Sequence, residues 1–373
     1  MNLRTPGPTP LPPRVREALA RDMVDHRGPE FAAAFAACTA ALKRLFRTEH
    51  DVLILTGSGS GGLEAAVVNL FSPGERVLSV SIGSFGRRFA QTAAAFGVDV
   101  AKLEFAAGEA ADPSAVTEAL AADPAIRAVL LTHNETSTGV TNDLPALARV
   151  VREAGRLVVV DSVSAVGAIP LEMDAWGCDV VITGSQKSWM IPPGLTMIGV
   201  GPRGWEAQAK ARLPRMYWDW ARARASAEKH QTPWTPAVGL IFALETALDL
   251  IEAEGLDKVH ARHRRVGERA RAGVRELGLR LVARDAARAS DTVTAFWLPK
   301  GVAAGELRRR LRDEHAVVLA GGQDDLAGKI LRIGHLGHVD VPDVDEALAA
   351  LRAVLAASGP VPASAPARQA GTA

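Results

Sequence analysis

Short apolar segments alternate with longer amphipathic ones through the middle of the chain, and this alternation restricts the fold more than any other feature. The apolar segments consist of Val, Ile and Leu on both faces, and the segments between them run for about 10–15 residues with helical periodicity. This pattern is typical of an α/β protein whose mostly parallel sheet is covered on both sides. The predicted strands are 52–56, 77–81, 98–103, 128–132, 157–161, 180–183 and 196–200, and the predicted helices between them are 63–71, 85–96, 114–122 and 144–154.

The pattern changes near Gly255, where a long apolar helix predicted over 236–254 ends and a charged helix over 257–277 begins. A chain of 373 residues exceeds the usual size of one hydrophobic core. We therefore expect an arm at 1–20 that lines the active site, a large domain at 21–255, a small α/β domain at 256–357 and a disordered tail at 358–373. The small domain is predicted to contain strands 279–283, 292–298, 317–320 and 331–334 and helices 304–314 and 343–356.

Composition excludes several classes of function. The chain has 43 basic and 42 acidic side chains, so its charge gives no reason to expect nucleic acid or a membrane as a partner. It has only two cysteines, Cys38 and Cys178, which excludes a disulfide scaffold and fits a reducing compartment. The start of the chain lacks the apolar stretch of a secretion signal, and no run approaches the roughly 18 apolar residues of a membrane span. These observations predict a cytoplasmic protein.

A glycine-rich segment, TGSGSGG at 56–62, stands between a predicted strand and a helix. Its glycines and the N-terminus of the helix could hold a phosphate group, or the segment could be only a tight turn. A dinucleotide site would need an acidic residue about 20 positions further on. The sequence there is VSIGS, which argues against a nicotinamide cofactor. The segment alone therefore leaves both interpretations open.

Two charged residues follow buried strands. Asp161 ends LVVVD, where it could be a structural ion pair or could face a cationic ligand group. Lys187, one of eight lysines, closely follows VVITG, where it could reach the surface or act as a nucleophile in a desolvated site. A phosphate-binding turn, a carboxylate and a lysine are together the three anchors that pyridoxal phosphate needs.

Several segments resemble class V pyridoxal-phosphate aminotransferases, in particular the alanine–glyoxylate and serine–pyruvate aminotransferase group. They are TGSGSGG, THNETSTG at 132–139, VVVDSVSAVG at 158–167, TGSQKSWMIPPG at 183–194 and LRIGHLG at 331–337. The resemblance begins at TPGPTPLPP near the start, so it covers nearly the whole chain. It implies fold type I, with a mostly parallel seven-stranded sheet in the large domain and a smaller C-terminal α/β domain.

The resemblance also implies roles for individual residues. Lys187 matches the Schiff-base lysine and Asp161 the partner of the pyridine nitrogen. Residues matching other cofactor contacts are Ser58, Gly59 and Ser60 in the phosphate turn, Phe85 and Val163 on the two ring faces, Thr136, Gln186, and Thr232 and Thr235, which would reach the phosphate of a neighbouring subunit. Residues matching the substrate side are Arg332 for the α-carboxylate, Gly7, Thr136 and Arg27. Trp189 and Met190 are expected to shape the substrate pocket.

The implied enzyme is a homodimer with shared active sites, a higher oligomer remaining open, and it moves an amino group from alanine or serine to glyoxylate or pyruvate by a ping-pong mechanism. Aspartate or ureidoglycine as donor and cysteine desulfuration are the alternatives, although neither cysteine stands where a catalytic thiol is expected. No metal is expected at the pair His335 and His338, because no further ligand has suitable spacing. His260 and His263 are predicted to be solvated on their charged helix.

Overall fold

The computed structural model of the protein describes residues 1–357. The predicted tail at 358–373 lies outside these residues. Within them, the strands are β1 (Asn2–Arg4), β2 (Asp51–Gly57), β3 (Arg76–Ser81), β4 (Asp99–Glu104), β5 (Ala128–Thr132), β6 (Asn134–Glu135), β7 (Val140–Thr141), β8 (Leu157–Asp161), β9 (Val180–Gly184), β10 (Gly194–Val200), β11 (Val293–Trp297), β12 (Val317–Gly321) and β13 (Ile330–Gly334). The α-helices are α1 (Pro13–Leu19), α2 (Pro29–Phe46), α3 (Gly59–Leu70), α4 (Ser84–Ala95), α5 (Pro113–Ala122), α6 (Leu144–Glu153), α7 (Pro202–Lys210), α8 (Trp220–Ala227), α9 (Val238–Glu254), α10 (Leu256–Glu276), α11 (Ala304–His315) and α12 (Val341–Ala356).

A seven-stranded sheet forms the centre of the large domain, in the order β2-β10-β9-β8-β5-β3-β4. Strand β10 runs antiparallel to both of its neighbours, and the other six strands are parallel to one another. All seven predicted strands are confirmed within one or two residues. The carboxyl ends of β2, β8 and β9 therefore meet at one edge of the sheet, where the glycine-rich segment, Asp161 and the loop to Lys187 follow them.

Both faces of this sheet are buried, which explains why its strands are apolar throughout. On β2, Val52 and Ile54 belong to the core on one face, whereas Leu53 and Leu55 belong to the core on the other. This alternation follows from the two-residue period of a strand. Helices α2, α6 and α9 contribute to the first core, and α3, α4 and α8 contribute to the second.

A second sheet has the order β1-β12-β13-β11 and packs with α10, α11 and α12 around its own core. Strand β1 from the start of the chain pairs in parallel with β12, a partner that the sequence did not predict. The predicted strand at 279–283 is wrong, because only one isolated bridge, Leu281 to Phe296, forms there. The division at Gly255 coincides with the junction of α9 and α10, where this glycine has a φ of +87°. The domain boundaries themselves stay predictions.

Candidate active site

The edge of the large sheet brings Lys187 and Asp161 together. Asp161 is the last residue of β8, and Ile182 of the adjacent parallel strand β9 is its register partner. Lys187 follows β9 in a turn whose Ser185 hydroxyl donates to the carbonyl oxygen of Pro192 over 2.7 Å. The strand register therefore places the carboxylate and the amine at one end of two neighbouring strands.

The Lys187 side chain is enclosed by the start of the chain. Its Nζ donates a hydrogen bond to the carbonyl oxygen of Pro6. Gly7 has a φ of +126°, which favours glycine, and a Cβ there would lie 2.7 Å from Lys187 Cδ and would displace the lysine side chain. Burial and, to a smaller extent, the positive charge of Arg332 together lower the pKa of Lys187 to about 8, against the opposing effect of Asp161. The amine is therefore closer to its nucleophilic form at neutral pH than a solvated lysine.

Asp161 is buried and keeps one carboxylate oxygen free of hydrogen bonds within the described chain. The backbone N–H of Val163 donates to Oδ1 over 3.0 Å. Burial raises the pKa of Asp161 to about 7, and the nearby Glu135 acts in the same direction. A ring N–H directed at the other oxygen would supply the missing partner.

The glycine-rich segment forms the N-terminus of α3. Ser58 is the N-cap, and its hydroxyl accepts a hydrogen bond from Gly61 N over 3.3 Å. Gly59 and Ser60 occupy the first two helical positions, whose N–H groups have no partner inside the helix. A Cβ on Gly59 would lie 2.9 Å from Val163, so the turn is in direct contact with the residue two positions after Asp161. The arrangement fits an anion next to Asp161.

The same segment packs against an aromatic side chain that the sequence did not point to. A Cβ on Gly57 or Gly61 would lie within 3.0 Å of the Trp218 ring. The Trp218 indole N–H donates to Glu64 on α3 over 3.1 Å. Trp218 therefore fixes the outer side of the turn. Its position some 160 residues further along the chain gave no signal in the sequence.

Phe85 stands at the start of α4, half-buried and facing the lysine. Lys187 Nζ lies 6.0 Å from the centre of its ring, and the Arg88 guanidinium lies 4.8 Å from it. The backbone N–H groups of Phe85 and Gly86 donate to Glu135 over 3.0 and 3.2 Å. Glu135 is fully buried, and the sequence analysis missed it. The available signal in the sequence was that Glu135 is the single acid in the hydroxyl-rich segment THNETSTG.

Arg332 lies on β13 of the second sheet and points toward the same site. Its Nη1 donates to the carbonyl oxygen of Thr136 over 2.9 Å, and its Nε donates to Gly321 over 2.8 Å. Nη2 donates no hydrogen bond within residues 1–357, so this end of the guanidinium is available to a ligand carboxylate. Burial lowers the pKa of Arg332 to about 10, and Glu135 opposes this shift.

Three predicted contact residues lie apart from this cluster. The Thr232 hydroxyl donates to the carbonyl oxygen of Trp234, and Thr235 is exposed. Arg27 is exposed and donates to the carbonyl oxygen of Thr232 over 2.7 Å. Within the same chain, Arg27 is therefore hydrogen-bonded to the segment that is predicted to reach a neighbouring subunit. The roles of all three residues stay predictions.

Two other expectations need correction. His263 is fully buried rather than solvated: its Nδ1 contacts the carbonyl oxygen of Val259, and its Nε2 accepts from Gly337 N over 3.0 Å. Burial lowers the pKa of His263 to about 3, so the ring is neutral. Trp189 does not face a substrate pocket. It is in the core, where it stacks on Phe46 and donates its indole N–H to Thr183 over 3.1 Å.

The chain matches the Aminotransferase class-V family over residues 3–331. It belongs to this family. A Synechococcus relative named "Soluble hydrogenase, small subunit" is 44% identical over 361 residues, which cover 96% of this chain and 93% of the relative. The L-aspartate–glyoxylate aminotransferase of Paracoccus denitrificans is 38% identical over 337 residues, covering 89% and 85% of the two chains. Solved structures give the same fold: the alanine–glyoxylate aminotransferase of a Nostoc species aligns with a TM-score of 0.91 at 31% identity and covers 95% of each chain.

Class V aminotransferases of this fold use pyridoxal phosphate, and the residues present fit that cofactor. The unpaired oxygen of Asp161 suits the ring nitrogen, and the N-terminal turn of α3 suits the phosphate. Gln186 Oε1 is buried with no partner among residues 1–357, so the site also holds an unsatisfied acceptor. Within the same residues, no helix has the length and apolarity of a membrane span, and no three His, Cys, Asp or Glu side chains group as metal ligands.

Proposed function

We propose that this class V aminotransferase moves the amino group of a small L-amino acid, alanine or serine, to glyoxylate or pyruvate. The observation that carries the proposal is the convergence of Lys187, Asp161 and the free end of Arg332 on one site. A donor with a short uncharged side chain needs one guanidinium for its α-carboxylate, and Arg332 is the buried arginine beside the lysine. The alanine–glyoxylate aminotransferase of Nostoc supports the same choice.

When bound, pyridoxal phosphate supplies an aldehyde that takes up the amino group and a ring that accepts the electron pair of the Cα–H bond. Lys187 first holds the cofactor and then, displaced by the donor, removes the proton from Cα as general base. A pKa of about 8 suits this task, because the amine can both accept and release a proton near neutral pH.

Asp161 and Arg332 hold opposite ends of the site. Asp161 keeps a proton on the ring nitrogen through its unpaired oxygen. Arg332 binds the α-carboxylate through Nη2, while its bonds to Thr136 and Gly321 fix the plane of the fork. Phe85 and Val163 cover the two faces of the ring, and Ser58, Gly59 and Ser60 bind the phosphate. Gly7 and Thr136 line the space for the substrate.

Aspartate is the second candidate donor, and Arg88 is the observation that favours it. This exposed guanidinium lies against the Phe85 ring and lowers the pKa of Lys187, so it is near enough to meet a second carboxylate. The relative from Paracoccus carries an aspartate–glyoxylate name. The Synechococcus relative has a hydrogenase name, but Lys187, Asp161 and Arg332 are residues that suit an aminotransferase.

A donor panel separates the two candidates. With glyoxylate as acceptor, kcat/KM for L-alanine or L-serine should exceed that for L-aspartate at least tenfold. Arg88→Ala should leave the alanine value unchanged. The matched control is Arg87→Ala, because Arg87 instead pairs with Asp324. The reverse preference, together with loss of aspartate activity in Arg88→Ala alone, would establish aspartate as the donor.

Cysteine desulfuration receives no support from the thiols. Cys38 lies in α2 and Cys178 precedes β9, and both are buried. Burial raises the pKa of each thiol, so neither is a ready nucleophile. The free state of both thiols supports our further proposal of a cytoplasmic enzyme.

We also propose that the enzyme is a homodimer in which Thr232 and Thr235 complete the site of the neighbouring subunit. The segment that carries them lies against Thr56 at the end of β2, since the Thr56 hydroxyl accepts from Ala237 N over 3.3 Å. Mixing inactive Lys187→Ala with inactive Thr235→Arg subunits tests sharing. Random mixing makes about half of the dimers mixed, and each mixed dimer has one of its two sites intact. Recovery of about a quarter of wild-type activity is therefore expected. No recovery would contradict sharing.

The deciding experiment for the whole proposal is Lys187→Ala. The variant should bind pyridoxal phosphate without a covalent link and should lose at least 1,000-fold in kcat with every donor, on the order of 4 kcal/mol or more. Lys210→Ala, at the end of α7, is the control and should keep wild-type activity. Full transamination by Lys187→Ala would overturn the assignment.

A further inference from the structure

A cavity of about 910 Å³ lies between the start of the chain, α9 and the start of α12. Its apolar wall is formed by side chains from four different segments. The apolar side chains are those of Leu3, Pro10, Pro12, Met190, Leu250 and Val339. None of the roles proposed for the transamination reaction uses this space.

One side chain that lines the cavity is a buried arginine that has no hydrogen-bond partner among residues 1–357. Arg4 is only 3% exposed, and its Nε has no hydrogen bond. Within residues 1–357 its guanidinium also forms no ion pair. Burial lowers the pKa of Arg4, and the more distant Asp343 and Glu346 oppose this effect. A buried guanidinium with unsatisfied N–H groups is unfavourable unless an acceptor reaches it.

The other arginines of the cavity differ from Arg4. Arg262 is held by a two-pronged ion pair with Glu254, with distances of 2.7 and 2.9 Å, and also donates to two backbone carbonyl oxygens. Arg14 is exposed to solvent. Arg4 is therefore the cation of this cavity that is both buried and available for an anion.

An unsatisfied acceptor lies next to this unsatisfied donor. Asn2 and Arg4 stand two residues apart on β1, so their side chains project from the same face of the strand. Asn2 Oδ1 is buried without a partner among residues 1–357, while its Nδ2 donates to the carbonyl oxygen of Asp343 over 2.7 Å and to Glu346 over 2.8 Å. A ligand here would meet the Arg4 guanidinium on one side and, on the other, the exposed carboxylate of Glu346, which Asn2 holds in place.

We propose that this cavity is a second binding site for a free α-amino acid with an apolar side chain. The α-carboxylate binds Arg4, the ammonium binds the exposed carboxylate of Glu346, and the side chain fills the space against Met190 and Leu250. Arg4 and Glu346 then each receive a complement, since a carboxylate only accepts hydrogen bonds and an ammonium only donates them.

The site is connected to the catalytic lysine through the chain itself. Arg4 ends β1, and two residues further on the carbonyl oxygen of Pro6 accepts a hydrogen bond from Lys187 Nζ. On the opposite wall, Met190 N donates to the carbonyl oxygen of Lys187 over 3.2 Å. A ligand in the cavity would thus contact two segments that hold Lys187.

Calorimetric titration of the cofactor-loaded enzyme with α-methyl-L-leucine tests the proposal. This probe has no hydrogen on Cα, so it cannot be turned over. Titration of the Arg332→Ala variant, whose active site lacks its carboxylate partner, should give one bound equivalent per chain. Adding Arg4→Met should weaken that binding at least tenfold, whereas adding Arg14→Ala should leave it unchanged. The absorbance of the cofactor in the same titration reports separately on the active site.

Several outcomes would overturn the proposal. Equal affinity with and without Arg4→Met would do so, and so would the absence of binding in Arg332→Ala, as expected if a partner subunit covers the cavity. If Arg4→Met does not fold, Glu346→Gln carries the test, because exposed Glu346 is the proposed ammonium partner and should also show a tenfold loss. Failure of the proposed role of Arg332 would appear differently, as two equivalents that persist in Arg332→Ala.

Discussion

Glu135 accepts hydrogen bonds from the backbone N–H groups of Phe85 and Gly86, and thereby fixes the start of α4 to the loop that carries Thr136. The other oxygen of Glu135 accepts from the backbone and hydroxyl of Ser137 over 3.0 and 2.7 Å. All the hydrogen-bonding capacity of this buried carboxylate is therefore used in joining two segments of the site. This arrangement holds the Phe85 ring beside Lys187.

Glu135→Gln should destabilise the protein by about 2 kcal/mol, because an amide accepts on one side only and presents N–H groups to donors on the other. Urea unfolding of the cofactor-free protein measures the change. Glu104→Gln, on exposed β4, is the control and should shift the free energy of unfolding by less than about 0.5 kcal/mol. Equal stabilities of the two variants would contradict the role given to Glu135.

The strands of the large sheet could be predicted because their residues are apolar on both faces and are bounded by turns. Lys187 and Asp161 could be found for the same reason, since a charged residue at the end of such a strand or shortly after it is unusual. Both residues stand near the carboxyl ends of predicted parallel strands, so the sequence already indicated that they lie at the same edge of the sheet. The structure adds the register that makes them neighbours.

Contacts between distant segments could not be predicted in this way. Strand β1 has three residues, too few for a period, and its partner β12 lies more than 300 residues away. Trp218 and Glu135 act through packing and hydrogen bonds that appear only when the chain is folded. The prediction that His263 is solvated is wrong because the charged residues of α10 outnumber its apolar ones. The apolar face of α10 nevertheless packs on Gly337.

Loading of the cofactor-free protein with pyridoxal phosphate should depend on the pKa of Lys187. Only the neutral amine attacks the aldehyde, so the loading rate should rise about tenfold per pH unit below a midpoint near 8 and level off above it. Stopped-flow absorbance measures the rate. Removing the charge of Arg332, which lowers this pKa, should move the midpoint of Arg332→Ala to higher pH. A midpoint that stays unchanged or falls would contradict the coupling.

The stability of the cofactor-free protein should decrease as the pH rises from about 4 to about 7, through the contribution of Asp161. Its folded pKa of about 7 lies above the unfolded value near 3.9, so the folded state holds the proton more tightly in this range. The contribution approaches about 1.4 kcal/mol per pH unit. Asp161→Asn removes it, so the difference between the two proteins in urea unfolding should shrink with decreasing pH. A difference independent of pH would contradict the raised pKa.

Arg332→Ala should raise KM for the amino donor about 30- to 150-fold, because a charge-assisted hydrogen bond to a carboxylate contributes about 2–3 kcal/mol. Arg332→Lys should fall between this variant and the wild type, since lysine keeps the charge but not the planar fork. Steady-state kinetics with L-alanine and glyoxylate measure both. Arg309→Ala, whose exposed side chain pairs with Glu306, is the control and should behave as wild type. An effect confined to kcat would mean that Arg332 acts on the reacting atoms rather than on the substrate carboxylate.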